Sequence, residues 1–142
     1  MCRAIQRFEV SLKAFIIKNN RALLVQEADT RYWELPGGRI NVGEERLAHA
    51  DILAREIAEE LGPNFHILPG DAAVTWVRQR PSDGVFQFVV ARVCRHISGE
   101  LALSPEHSAY LWATPAQWQT LQFPPLSDYP VAIARLSDLA SL

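Results

Sequence analysis

Three glutamates carry the most chemical promise in this 142-residue chain. Glu56 and Glu60 stand four residues apart and Glu56 and Glu59 three apart, so on a helix all three carboxylates project from nearly one side. Like charges at such spacings destabilise an isolated helix by about 0.2–0.5 kcal/mol per pair. Leu53, Ile57 and Leu61 already serve a core, which leaves the acidic side for a cation. A hard divalent ion fits, since it takes oxygen ligands, keeps some of its waters and shares the phosphate oxygens of a substrate. A solvated helix face, with Arg55 paired to Glu59, would explain the acids taken alone. Pro36-Gly37-Gly38 ahead of the helix shifts the balance, because glycine lets the backbone approach a metal or a pyrophosphate closely.

The elements that must hold these groups follow from periodicity and punctuation. Across residues 45–61 the apolar positions Leu47, Ala50, Ala54 or Leu53, Ile57 and Leu61 recur every three or four residues, which predicts an amphipathic helix. Gly62-Pro63 ends it, as glycine accepts a positive φ and proline cannot continue a helix. Residues 9–17 and 21–27 are rich in aliphatic and β-branched side chains and flank the turn Lys18-Asn19-Asn20, so they read as a hairpin. A short strand over 32–35 stops at Pro36-Gly37-Gly38, where the chain must turn sharply. Strands over 72–80 and 84–95 surround Pro81-Ser82-Asp83-Gly84, and another covers 109–113. Thr114-Pro115 reads as an N-cap and first helical residue, opening a helix to about Leu121. A last helix follows Pro130, with Val131, Ile133 or Ala134, Leu136 and Leu139 as its stripe. Strands with helices on both sides predict a layered α/β sandwich, and the length predicts a single domain over residues 1–142.

Composition narrows the function classes. A formal net charge of −2, with the 14 basic residues scattered, supplies no field for polymeric DNA or RNA. The longest apolar runs are strand-sized and no apolar leader follows Met1, so the expectation is a cytoplasmic protein without a membrane partner. Cys2 and Cys94 form neither a disulfide framework nor a zinc cluster and are expected as free thiols.

Trp33-Glu34-Leu35-Pro36-Gly37, then Gly38-x5-Glu44, then Arg55-Glu56-Ile57-x-Glu59-Glu60-x-Gly62, resembles the signature box of the Nudix hydrolase family. Ten residues separate Glu44 from Arg55, three more than in that pattern. Three residues turn a helix by about 300°, so an extension at the helix start would keep the later glutamates aimed correctly. The insertion bears more on Glu44, for which Glu45 is the alternative. Pro63 stands where the family has an aliphatic residue and concerns only the helix exit.

The resemblance implies a Nudix fold, an α/β/α sandwich with a mixed sheet. It also implies a metal-dependent pyrophosphohydrolase that cleaves a phosphoanhydride bond in a nucleoside diphosphate linked to another moiety, nucleoside triphosphates included. By that likeness Glu56, Glu59, Glu60 and the Gly37 carbonyl hold Mg2+ or Mn2+, and Arg55 orients the glutamates. The general base falls to Glu59, Glu60 or Glu106, with His107 as a substitute. Homodimers are common in the family. The alternative from another class is a catalytically inactive nucleotide-binding module, against which the intact Glu56, Glu59 and Glu60 count.

For the substrate, Gly38 leaves room for a pyrophosphate, Arg31, Arg78 and Arg80 are candidate phosphate or ribose contacts, and Tyr32, Trp76 or Phe86 are candidates to stack on a base. Phe123-Pro124-Pro125 with Ser127-Asp128 is similar to the C-terminal segment of mutator-type nucleoside-triphosphate pyrophosphohydrolases, with Ser127 in place of their purine-reading asparagine. Pro81 lies near, though not at, the downstream position typical of the ADP-ribose-cleaving branch.

Overall fold

The computed structural model describes residues 2–142. Its strands are β1 (Glu9–Lys18), β2 (Arg21–Glu27), β3 (Trp33–Glu34), β4 (Gly37–Arg39), β5 (His66–Gln79), β6 (Phe86–Ser98) and β7 (His107–Ala113). The helices are α1 (His49–Leu61), α2 (Pro115–Trp118) and α3 (Tyr129–Leu139). All seven strands join one mixed sheet. β1 runs parallel to β6 from Glu9↔Gln87 to Ile17↔Arg95, and every other pairing is antiparallel.

β1 organises both layers through simple alternation. Leu12, Ala14 and Ile16 pack with Ile52, Leu53, Ile57 and Leu61 of α1. Phe15 points the other way, into a core with Trp118, Tyr129, Ile133 and Leu136 beneath α2 and α3. The result is the α/β/α sandwich with a mixed sheet that the sequence implied. Ser11 and Lys13 share the parity of Phe15 but lie beyond that core, and both line a cleft. Along the other side, β1 changes partner. It pairs Ser11–Lys13 with Gly37–Arg39 and Ile17–Lys18 with Arg21–Ala22, and Ala14 N–H donates to Pro36 O at 2.9 Å in between. This divided edge lets the Pro36–Gly38 segment enter the sheet beside α1.

Several boundaries differ from the sequence expectation. The helix expected from residue 45 begins at His49, and Leu47, assigned to its apolar stripe, is 52% exposed. Residues 45–48 form turns instead, so the extra three residues lengthen the loop rather than the helix. Ala54 is exposed, and Ile52 takes the core position. Gly37-Gly38 is a strand paired with β1 rather than a free turn. Gly37 has φ +146°, and a Cβ there would meet the Leu12 carbonyl oxygen, so the position demands glycine. β5 starts at His66, ahead of the expected residue 72; it tolerates Pro69 because it is an edge strand with a register shift between Pro69 and Ala73. α2 has the expected Thr114 cap, completed by Gln117 in a capping box, but stops at Trp118.

Tyr129, at the start of α3, ties that helix to the segment leading into β4. Its ring stacks on Phe123 at 5.4 Å and meets Trp76 edge-on at 5.1 Å, and its buried hydroxyl accepts a hydrogen bond from Leu35 N–H at 3.0 Å. Tyr129→Phe keeps the ring but strands a buried amide, so it should cost about 1–3 kcal/mol in urea unfolding. An unchanged midpoint would mean that the hydroxyl does not hold the segment.

Candidate functional site

The acidic face of α1 closes one side of a cleft of about 410 Å³, and the sheet face carrying Ser11, Lys13, Arg78, Gln87 and Val89 forms its floor. Glu56, Glu59, Glu60 and Glu106 all line it. Two contacts lock helix and strand together. Gly37 N–H donates to Glu60 Oε2 at 2.9 Å, and the Glu56 carboxylate occupies the space that a Cβ on Gly38 would need. Gly38 is therefore held open for a carboxylate, a close approach that only glycine permits.

Arg55 organises the acids. It donates to Glu44 through Nε and Nη2, both at 2.8 Å, to Glu56 Oε1 at 3.0 Å and to Glu59 Oε1 at 3.1 Å. Glu44, whose register the insertion put in question, keeps this bidentate contact and accepts from Asn41 N–H at 2.9 Å. Glu45 instead accepts from Gly43 N–H, so it does not replace Glu44. A fork donor spanning three carboxylates offsets the repulsion that their spacing creates.

Deeper in the cleft, Glu34 forms a hub with only 8% of its surface exposed. Its oxygens lie 3.2 Å from His107 Nε2 and 4.0 Å from both Lys13 Nζ and Arg78 Nη1. Burial alone would raise the Glu34 carboxyl, but the Lys13 ammonium and His107 hold it below the usual range. The same burial opposes charge on Lys13, and the facing carboxylates, Glu34 first, outweigh it and raise that group. Glu34 and Lys13 went unassigned in the sequence reading. Only an ionisable residue in an otherwise apolar strand, Lys13 between Leu12 and Ala14, hinted at them.

Glu60 is perturbed in the opposite direction to Glu34. Burial pushes its carboxyl up to about 7 despite the Lys13 ammonium and the Gly37 N–H. Glu56 is also raised, again mainly by burial.

The remaining expectations divide. Glu106 faces the cleft, and its carboxylate, one of Glu60 and a His107 ring nitrogen fall within 4.8 Å of one another. Arg78 and Arg80 line the cleft; Arg80 is held by Glu9 at 3.2 Å and Asp83 at 2.6 Å. Arg31 is exposed in the 28–32 loop at φ +67° and is not among the lining residues, nor is Tyr32. Trp76 is buried in the core, and Phe86 packs edge-on against Phe8. Ser127 bridges to Arg78 through the backbone, while its hydroxyl donates to Pro124 O at 2.9 Å. Cys2 and Cys94 are free thiols, and burial pushes Cys94 up to about 12.

A model of the NUDIX domain matches residues 8–132. The chain belongs to the NUDIX family. Membership makes it a hydrolase acting on phosphoanhydride bonds. No curated protein matches the sequence. Among solved structures, a NUDIX hydrolase from Nitrosomonas europaea is 18% identical over 95% of this chain and 90% of its own, with a TM-score of 0.74. A MutT protein from Methanosarcina mazei Go1 is 22% identical over 99% and 100%, with a TM-score of 0.72. An Ap4A hydrolase from C. elegans is 17% identical over 94% and 96%, with a TM-score of 0.71. At these identities the likeness shows that this chain shares the NUDIX fold. Among the described residues no helix is long and apolar enough to cross a membrane.

Because Glu60 is raised in the fold, the native state retains a proton that the unfolded chain releases near pH 4.5. Stability therefore falls as pH rises from about 4.5 to 7. Metal-free Glu60→Gln should melt above the parent at pH 8, by at most on the order of 3 kcal/mol, with the gap closing toward pH 5. Equal melting temperatures at pH 8 would show that Glu60 titrates normally.

Proposed function

We propose that this NUDIX hydrolase is a divalent-metal-dependent pyrophosphohydrolase that cuts a diphosphate linkage in a small nucleotide-like substrate, nucleoside triphosphates among them. The observation that carries the reading is the pairing of two unlike sides in one cleft: carboxylates on α1 at one side, and Lys13 and Arg78 on the floor with Arg80 also lining it. A diphosphate with an organic tail suits that polarity, the phosphates at the acidic side with their metal and the tail over the sheet. The ADP-ribose pyrophosphatase of Streptococcus suis and the Ap4A hydrolase of C. elegans, which share this fold, are named for substrates of that kind.

The donor set fits Mg2+ or Mn2+. It is all oxygen, it includes Glu56 and Glu60 at 9% and 7% exposure, and the Gly38 cradle, which a Cβ would fill, holds Glu56 in place. Glu56, Glu59, Glu60 and the Gly37 carbonyl are the residues that would hold the ion. Bound there, it would neutralise phosphate charge and lower the pKa of a water. Arg55 keeps the glutamates aimed. Glu106, exposed at the cleft mouth, or Glu59, which is 60% exposed along its side chain, accepts the proton of the attacking water. Glu60 is fixed by Gly37 N–H and suits a ligand better than a base. Lys13, Arg78 and Arg80 bind phosphate or ribose oxygens. The acidic face and net charge of −2 disfavour polymeric nucleic acid, and we place the enzyme in the cytoplasm, where a homodimer is compatible with the fold.

Incubation with Mg2+ and a panel of nucleoside triphosphates, ADP-ribose, nucleotide sugars and dinucleoside polyphosphates, with product chromatography, tests the reading. Cleavage inside a diphosphate, abolished by chelator, is expected, and Glu60→Gln should lower kcat at least a hundredfold while the fold is preserved. Chelator-resistant turnover would overturn metal dependence. Near-normal kcat in the variant would remove Glu60 from the ligand set.

A further inference from the structure

His107 is placed unlike an ordinary buried histidine. Its side chain is 2% exposed, and Nε2 contacts Glu34 Oε1 at 3.2 Å. Its Nδ1 is buried with no hydrogen-bond partner among the described residues. A ring nitrogen of His107 also lies within 4.8 Å of carboxylate oxygens of Glu60 and Glu106. Three groups from three segments thus converge on one point: the last turn of α1, the loop before β7, and β7 itself.

The backbone fixes this convergence. Ser104 N–H donates to Glu60 O at 2.9 Å, His107 N–H to Ser104 O at 3.2 Å, and Ala28 N–H to Glu106 O at 2.9 Å. The loop is therefore stitched to both the helix end and β2. The carboxylate contact on one ring nitrogen orients the imidazole and makes the other nitrogen a better electron-pair donor, the arrangement by which proteins present histidine to metals.

We propose that His107 is a nitrogen ligand in a metal position shared with Glu60 and Glu106, which gives this enzyme a preference for Mn2+ or a similar transition ion over Mg2+. The inference rests on the metal-dependent reading of the cleft. It goes further in naming a donor that the all-oxygen set lacks and, with Glu106 taken up as a ligand, it leaves Glu59 as the base. Imidazole suits first-row transition ions, whereas Mg2+ selects oxygen. Glu34 becomes the positioning residue of the site, acting on the metal through His107.

The test is to load the full chain with Mn2+ alone and record pulsed electron paramagnetic resonance. Nitrogen-14 coupling from an imidazole is expected in the parent and in His49→Gln, an exposed control, and should vanish in His107→Gln. Calorimetry should show Mn2+ affinity falling about tenfold in His107→Gln, with Mg2+ affinity far less changed. Bound Mn2+ without nitrogen coupling in the parent would overturn the assignment of His107 while leaving the oxygen-ligated reading standing. No Mn2+ binding at all would overturn both.

Discussion

The site depends on a carboxylate that cannot be left alone. Glu34 is buried beneath the cleft, where an uncompensated charge would be far too costly, so it requires cations within reach. Two cations come from other strands, Lys13 on β1 and Arg78 on β5, and His107 on β7 adds a polar contact through Nε2. Meeting one electrostatic demand therefore fixes β3 against most of the sheet at the place where β1 changes partner. The acids of α1 add a second demand of the same kind, met by Arg55 from their own helix. One set of charges is thus satisfied internally and the other at the helix surface.

Glycine chemistry joins the two sets. Gly37 sits where a side chain would strike the backbone of β1, and its amide reaches Glu60; Gly38 gives its side-chain space to Glu56. Helix and strand consequently approach more closely than side-chain packing allows. That closeness buries Glu60, and burial is what raises its carboxyl. The sequence of causes runs from two residues without side chains to an unusual protonation equilibrium.

Much of this was legible in the chain. Apolar periodicity and Gly62 located α1, and aliphatic and β-branched content beside turn residues located β1, β2 and β6, because each depends on local preference or period. Three features were not legible, for different reasons. The helix start at His49 depends on Glu44 reaching Arg55 eleven positions away, a tertiary contact that overrides the apolar pattern around Leu47. The hub at Glu34 depends on strands distant in sequence. Arg31 and Tyr32 looked like ligand contacts by residue type, yet the 28–32 loop keeps them off the cleft lining. Residue type suggests what a side chain can do, and only the fold decides where it does it.

The turns at residues 45–48 lie outside the clamp formed by Glu44 and Arg55, and Val42 and Leu47 beside them face solvent. Because the clamp closes at its base, the length of that excursion is decoupled from the geometry of the acids. Evolution can vary the segment, adding or removing residues there, without retuning the chemistry a few ångströms away. The three additional residues of this chain are taken up in that excursion, and the carboxylates beyond the clamp keep their positions.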